Sequence, residues 1–339
     1  MSIRWRTTIA GVLLIATTAL GGCAVGISEP APTIPPMSAT PPFLPTYKHI
    51  VIVIEENKFP AEVICASCKT PFLQRLVREG TSFDQMYGEE HPSEGNYLWL
   101  FSGDNQGVGF LDRSPVALSN AMNLGRALIQ KNLSFVGYAE DLPDSYLQSK
   151  DGDWPGSALY VRRHIPWLTF TDFNDPRTSD RYTRPFSTFA ATDFDALPKV
   201  ALVIPNLMND MHDGSVSAGD NWLAANLRKY YEWARTNDSL LIVVFDENNE
   251  LGAFPPEHGL TDPFSAGTSL RDRVHRNRIF AVFAGAHVKP GNVSITPLTH
   301  VNILRMIEAM YGLEPSGAQQ PNAAPPVFSN GPITSAFVP

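Results

Sequence analysis

His49-Ile50-Val51-Ile52-Val53-Ile54, followed at once by Glu55-Glu56-Asn57, is the stretch that decides the fold of this 339-residue chain. An uninterrupted β-branched run without polar alternation describes a strand buried on both faces, as in a parallel sheet. The run stops in acids and an amide. In open α/β sheets the carboxyl ends of the strands line the ligand crevice. Glu56 and Asn57 are therefore candidate ligands, with a solvated turn as the other reading.

The pattern returns downstream. Leu240 to Phe245 is a second apolar strand and ends in Asp246-Glu247-Asn248-Asn249. Val200 to Ile204 runs into a loop carrying Asp210, His212 and Asp213, and Arg278 to Phe283 reads as a fourth strand, followed by Thr299 as a helix N-cap with His300 in the first turn. Helices are expected from Pro71 to Glu79 and from about Asp220 to Thr236, the latter with Trp222, Leu223, Leu227, Tyr230, Tyr231 and Ala234 on its core face. Strands and helices alternate, which predicts an α/β domain with a mostly parallel central sheet and helices on both faces. In such a sheet Glu56, Asn57, Asp246 and Glu247 converge on one edge. Carboxylates so placed raise one another's pKa unless a cation neutralises them, and oxygen donors suit a hard divalent ion. The middle, Arg113 to Leu197, has no clean period. Its Tyr138, Glu140, Arg163 and His164 are read as structural.

Gly88-Glu89-Glu90-His91-Pro92-Ser93-Glu94-Gly95-Asn96-Tyr97-Leu98 precedes the apolar run Trp99-Leu100-Phe101. Ser93 is either a helix N-cap or a nucleophile at a helix N-terminus. The acids brought by the strand ends favour the nucleophile. Glu94 and Gly95 read as incidental beside His91, Ser93 and Asn96.

Arg4 and Arg6 precede an uncharged run from Thr7 to Ile27, a secretory signal pattern. Leu20-Gly21-Gly22-Cys23 resembles a bacterial lipobox with Cys23 as the lipidated residue; a cleaved signal without lipid and an uncleaved anchor are the alternatives. Residues 1–22 are thus expected as a lipoprotein signal peptide and 23–47 as a proline-rich tether. Residues 48–313 form the catalytic domain, and 314–339 a poorly ordered Pro/Ala-rich tail. Localisation is expected to be extracytoplasmic, in the cell envelope or else secreted, with the membrane met only through the lipid. Cys65 and Cys68 read as a local disulfide. A net charge of -8 without a long basic run argues against nucleic-acid binding.

Glu56-Asn57, His91-Pro92-Ser93 to Leu98, Asn209 to Gly214 with Asp220 and Trp222-Leu223, Asp246-Glu247, and Pro297 to Glu308 together resemble the phosphoesterase family of bacterial acid phosphatases and phospholipases C, in the alkaline phosphatase superfamily. The resemblance implies an alkaline-phosphatase-like fold and one divalent metal ion, magnesium, calcium, manganese or zinc, held by Glu56, Asn57, Ser93, Asp246 and Glu247. It implies a phosphate ester as substrate and a phosphoserine at Ser93, and the short chain favours a small phosphate monoester. Asp210 and His212 face the phosphate by similarity, with His212 the best leaving-group donor, and His91, Asn96 and His300 are expected to bind substrate. A phospholipase C or other phosphodiesterase, and a non-catalytic lipid-tethered phosphate binder, are the competing functions. Arg163-His164-Ile165-Pro166 resembles another family element, of unassigned role. Asn248 and Asn249 stand where the family carries glycines, and the Cys65/Cys68 pair has no counterpart in its pattern.

Overall fold

The computed structural model of the protein describes residues 43–108, 118–148, 159–190, 192–249, 277–317 and 331–339. The expected signal peptide, Cys23 and the tether as far as residue 42 lie outside the described residues. Among the described residues no helix is long and apolar enough to cross a membrane.

The opening run forms strand β1, His49–Glu55, buried at every position. It lies at the middle of the sheet, between β6, Val200–Ile204, and β7, Ser239–Phe245, and pairs in parallel with both. Beyond β6 come β4, Phe135–Ala139, and β5, Thr183–Pro185, also parallel. Beyond β7 come β9, Ala281–Gly285, then β2, Thr81–Phe83, and β10, Asn292–Ser294. Only β9 runs against its neighbours. The mostly parallel sheet expected from the sequence is therefore present, with one reversed strand. A small second sheet joins β3, Met86–Tyr87, β8, Arg278–Ile279, and β11, Leu298–Thr299. The single strand expected over Arg278 to Phe283 is thus split at Phe280, its two halves serving different sheets.

Helices cover both faces. On one side α2, Pro71–Glu79, packs on α6, Val216–Ala234; on the other α3, Ser93–Ser102, packs on α7, His300–Tyr311. The short α1, Pro60–Val63, follows β1, α4, Leu124–Gln130, precedes β4, and α5, Phe186–Ala190, follows β5. Every residue of α3 is buried, the polar Ser93, Glu94, Asn96 and Ser102 together with the apolar run Leu98 to Phe101. It stops at Gly103, whose φ of 66° lets the chain turn left-handed without a Cβ clash.

Two boundaries differ from the sequence reading. Helix α6 begins earlier than Asp220 because Ser215 caps it, its hydroxyl accepting from Ala218 N at 3.1 Å. Asp220 instead reaches across to α2, where its carboxylate accepts from the backbone N–H groups of Phe72 and Leu73 at 3.1 and 2.8 Å. Nor does the domain close at Leu313. Residues 331–339 return to it, with Ile333, Ala336 and Phe337 buried in the core and Phe337 bridging to Val288; those apolar side chains overcome the polar, proline-rich composition around them. Cys65 and Cys68 are joined as expected, and Gln74 Nε2 ties both of their carbonyls to α2.

Replacing Asp220 with Ala leaves two buried N–H donors at the start of α2 without acceptors. The expected loss is about 1–3 kcal/mol in urea unfolding, with Asp220→Asn retaining most of the stability.

Candidate active site

Ser93 is the first residue of α3, with Pro92 as N-cap and a cis bond between His91 and Pro92. The hydroxyl does not cap its own helix. Its Oγ lies 2.8 Å from Glu247 Oε1 and 3.2 Å from Glu56 Oε2. One hydroxyl proton serves one acceptor at a time, so the serine oxygen is crowded by acids at the positive end of a helix dipole, a position that favours negative charge.

The carboxylates are brought there by the sheet. Alternation along β1 sends Glu55 and Glu56 to opposite faces, Glu56 to Ser93 and Tyr97, Glu55 toward Asp220 and Glu140. Asp246 follows the neighbouring strand, and its backbone N–H donates to the Glu55 carbonyl at 3.0 Å. Asn57 turns left-handed with φ 52°, a conformation asparagine tolerates, and its N–H meets Asp246 Oδ1 at 3.2 Å. His91 Nδ1 sits 2.5 Å from Glu247 Oε2. Glu56, Asn57, Ser93, Asp246 and Glu247, which the sequence singled out, are therefore neighbours. They fit a hard cation: the donors are oxygens, and Asn57 Oδ1 and Asp246 Oδ2 are buried without a hydrogen-bond partner. Burial, then Asp246 and Asp210, push the Glu56 carboxyl well above the usual range despite the opposing Tyr97 bond. Burial and then Glu247 raise Asp246 to about 7, against hydrogen bonds from Ser93 and the backbone of Asn57 and Glu247.

Two residues of the site were not legible as such. Tyr97, one turn along α3 from Ser93, donates its hydroxyl to Glu56 Oε1; its position four residues after the serine was the available signal. His164 stacks on Tyr97 with centroids 4.9 Å apart and planes at 7°. Its Nε2 lies 3.3 Å from Glu56 Oε1 and its Nδ1 3.8 Å from Asp210 Oδ2. Burial first, then Arg163 and His212, hold His164 well below the ordinary histidine range. It comes from a 3₁₀ turn, Arg162–His164, in the segment without period, where only the resemblance of Arg163 to Pro166 to a family element of unassigned role marks it. The structural role expected of it gives way to a place at the acids.

The other expected site residues have protein partners of their own. Asn96 was expected on a phosphoryl oxygen, but its Oδ1 accepts from Glu89 N and Glu90 N and its Nδ2 donates to Glu90 O. It braces the loop before Ser93. His300, also expected at substrate, spends Nδ1 on Glu89 Oε2 at 2.6 Å and Nε2 on the Phe245 carbonyl at 2.8 Å. Burial alone would lower it, but the Glu89 carboxylate outweighs this and raises it. Asp210 does not present itself to an anion: one oxygen accepts from His212 N at 2.8 Å and the other faces His164. His212 is half-open to solvent, with Nδ1 at 2.7 Å from Asp213 and its ring 6.3 Å from that of His164. Gly95 is not incidental. A Cβ there would lie 2.2 Å from Glu90 Oε1, and Trp99 Nε1 and Asn105 Nδ2 hold that carboxylate in place. Glu94 is buried as well. The Asn248 backbone N–H donates to Asn277 Oδ1, and Asn277 Nδ2 to Glu90 O, at 2.9 and 2.8 Å. This joins the loop after β7 to the loop before α3.

The phosphoesterase family model matches residues 65–314. Phosphatidylinositol-3-phosphatase of Mycobacterium tuberculosis is 38% identical over 295 residues, 87% of this chain and 86% of that protein. A phosphate-repressible acid phosphatase of Penicillium chrysogenum is 28% identical over 254 residues, 72% of this chain and 55% of that protein. The chain thus spans about half the length of that fungal relative. Among solved structures, a protein in the alkaline phosphatase superfamily from Vibrio parahaemolyticus overlays with a TM-score of 0.49 at 12% identity, covering 79% of this chain and 68% of that one.

The raised Asp246 carboxyl sets a pH dependence. Folding favours its protonated form, so the stabilisation is complete below the ordinary value of 3.8 and is lost as pH rises through about 7. Chelator-treated protein should therefore melt at a lower temperature near pH 8 than near pH 5. Added divalent cation should recover the loss, and Asp246→Asn should flatten the metal-free profile.

Proposed function

From the chain's membership of the phosphoesterase family, and hence from phosphoric ester hydrolysis as its activity, we propose that it is a metal-dependent phosphate monoesterase with Ser93 as nucleophile. The observation that carries this is the Ser93 hydroxyl at the start of α3, held between Glu56 and Glu247. A divalent cation on Glu56, Asn57, Asp246 and Glu247 would supply Lewis acidity and make the serine hydroxyl easier to ionise.

The chain's own groups do the rest. Ser93 gives its proton to the carboxylate it faces as Oγ forms a bond to phosphorus, and the bond from phosphorus to the ester oxygen breaks in line. His212, at the more open side of the site and hydrogen-bonded to Asp213, gives a proton to the departing alkoxide. Water then attacks the phosphoserine, the serine oxygen leaves and takes back a proton, and inorganic phosphate is released. His91 orients Glu247 for the proton it receives.

The named relatives above are phosphatases, which supports a monoester over a diester or a phospholipase C reaction. The relative that is matched over most of both chains acts on a phosphatidylinositol 3-phosphate by its name, so phosphorylated inositol lipids are the first natural substrates to try. Tethering through Cys23, with residues 23–47 as spacer, is part of the same proposal and would hold the domain at the cell envelope.

Ser93→Ala should lower kcat on p-nitrophenyl phosphate by about 10³-fold or more and abolish the phosphoserine recovered after acid quench. Wild-type turnover by the variant would sink the assignment. Release from the bis ester faster than from the monoester would move the protein to the diesterase reading.

A further inference from the structure

Glu56, His164 and Asp210 make a second polar cluster that the one-ion reading leaves without a purpose. One donor atom from each lies within 4.8 Å of the others, and all three side chains are buried. Glu56 accepts from Tyr97 and Ser93, but His164 and Asp210 each keep an unsatisfied atom. His164 Nε2 is 3.3 Å from Glu56 Oε1 yet makes no hydrogen bond, and Asp210 Oδ2, 3.8 Å from His164 Nδ1, has no partner either. Orphaned buried polar atoms are costly, and two of them, His164 Nε2 and Asp210 Oδ2, in one cluster with the Glu56 carboxylate point to a species among the three.

Its sign follows from the donors. Two carboxylates and an imidazole edge repel an anion, so neither the phosphate of a substrate nor an inorganic anion belongs there. Lys58 does not fill the role, because its Nζ is spent on the carbonyls of Asn57 and Met211 at 3.1 and 2.8 Å. Around an ion with bonds of about 2.0–2.2 Å, neighbouring ligand atoms stand roughly 3–3.5 Å apart, which the His164–Glu56 separation of 3.3 Å already meets.

We propose that Glu56, His164 and Asp210 bind a second divalent cation, with Glu56 shared between it and the ion beside Ser93. The resemblance to the family implied a single ion. The second site mixes one imidazole with two carboxylates, so it takes manganese or zinc more readily than calcium or magnesium. The shared carboxylate places the ions within the roughly 3.5–4 Å of two-metal centres. Tyr97, bonded to Glu56 Oε1 and stacked on His164, fixes the two ligands relative to each other.

The inference rests on the first ion of the proposed function, and metal counting separates the two. Chelator-stripped full chain is titrated with Mn²⁺, and bound metal is counted by equilibrium dialysis with elemental analysis, alongside electron paramagnetic resonance. Two equivalents and an exchange-coupled Mn²⁺ signal are expected for the wild type. His164→Gln and Asp210→Asn should each bind one equivalent with an uncoupled signal; Asn retains the acceptor for His212 N, and circular dichroism checks that both variants are folded. One equivalent in the wild type, unchanged in both variants, overturns the second site and leaves the first standing. No bound metal overturns both.

Discussion

Repulsion among buried carboxylates is the constraint on which this structure turns. Glu56, Asp210, Asp246 and Glu247 are withdrawn from water at one edge of the sheet, and burial together with their mutual charge drives Glu56, Asp210 and Asp246 toward protonation. Such a set persists only with protons or cations among its members. In the mechanism we propose, a cation that relieved the acids would also draw an anionic ester toward the Ser93 oxygen.

The parallel sheet is what enforces the crowding. Register between β1 and β7 puts Glu55 beside Phe245, so the residues that follow each strand emerge side by side. The loop after β6 folds back until the Asp210 carbonyl accepts the Glu56 N–H at 2.7 Å. Backbone hydrogen bonds thus fix the acids before any side chain contributes. A rigid frame of this kind holds ligands in place even where their charges oppose it.

Around the acids lies a layer of groups that hold loops. Glu89 joins His300 to the Ser93 loop, Asn96 closes that loop on itself, and Asn277 ties it to the chain after β7. On the other face Glu140 gathers Trp222, Asn206 and Asn209, steadying the segment that carries Asp210. In kind these are the amides, acids and histidines of an active site, and their task is position. Residue type alone does not separate contact with a substrate from bracing of a loop, and the sequence does not show that Asn96 and His300 have these backbone and side-chain partners.

The sequence by itself determined the long central strands β1, β6 and β7, the acidic ends of β1 and β7 and the serine before a helix, because hydrophobic period and strand termination are local properties. It thereby placed Glu56, Asn57, Asp246 and Glu247 on one edge, given only that parallel strands end on the same side, and the family resemblance added Ser93 to them. Tertiary structure alone decided the rest. It brought His164 to Glu56 from a segment without period, sent Asp220 to cap a neighbouring helix, turned Asn96 and His300 to the backbone, and folded residues 331–339 into the core. Those outcomes depend on which surfaces meet across the fold, and a side chain's partner over such a separation leaves no trace in the residues beside it.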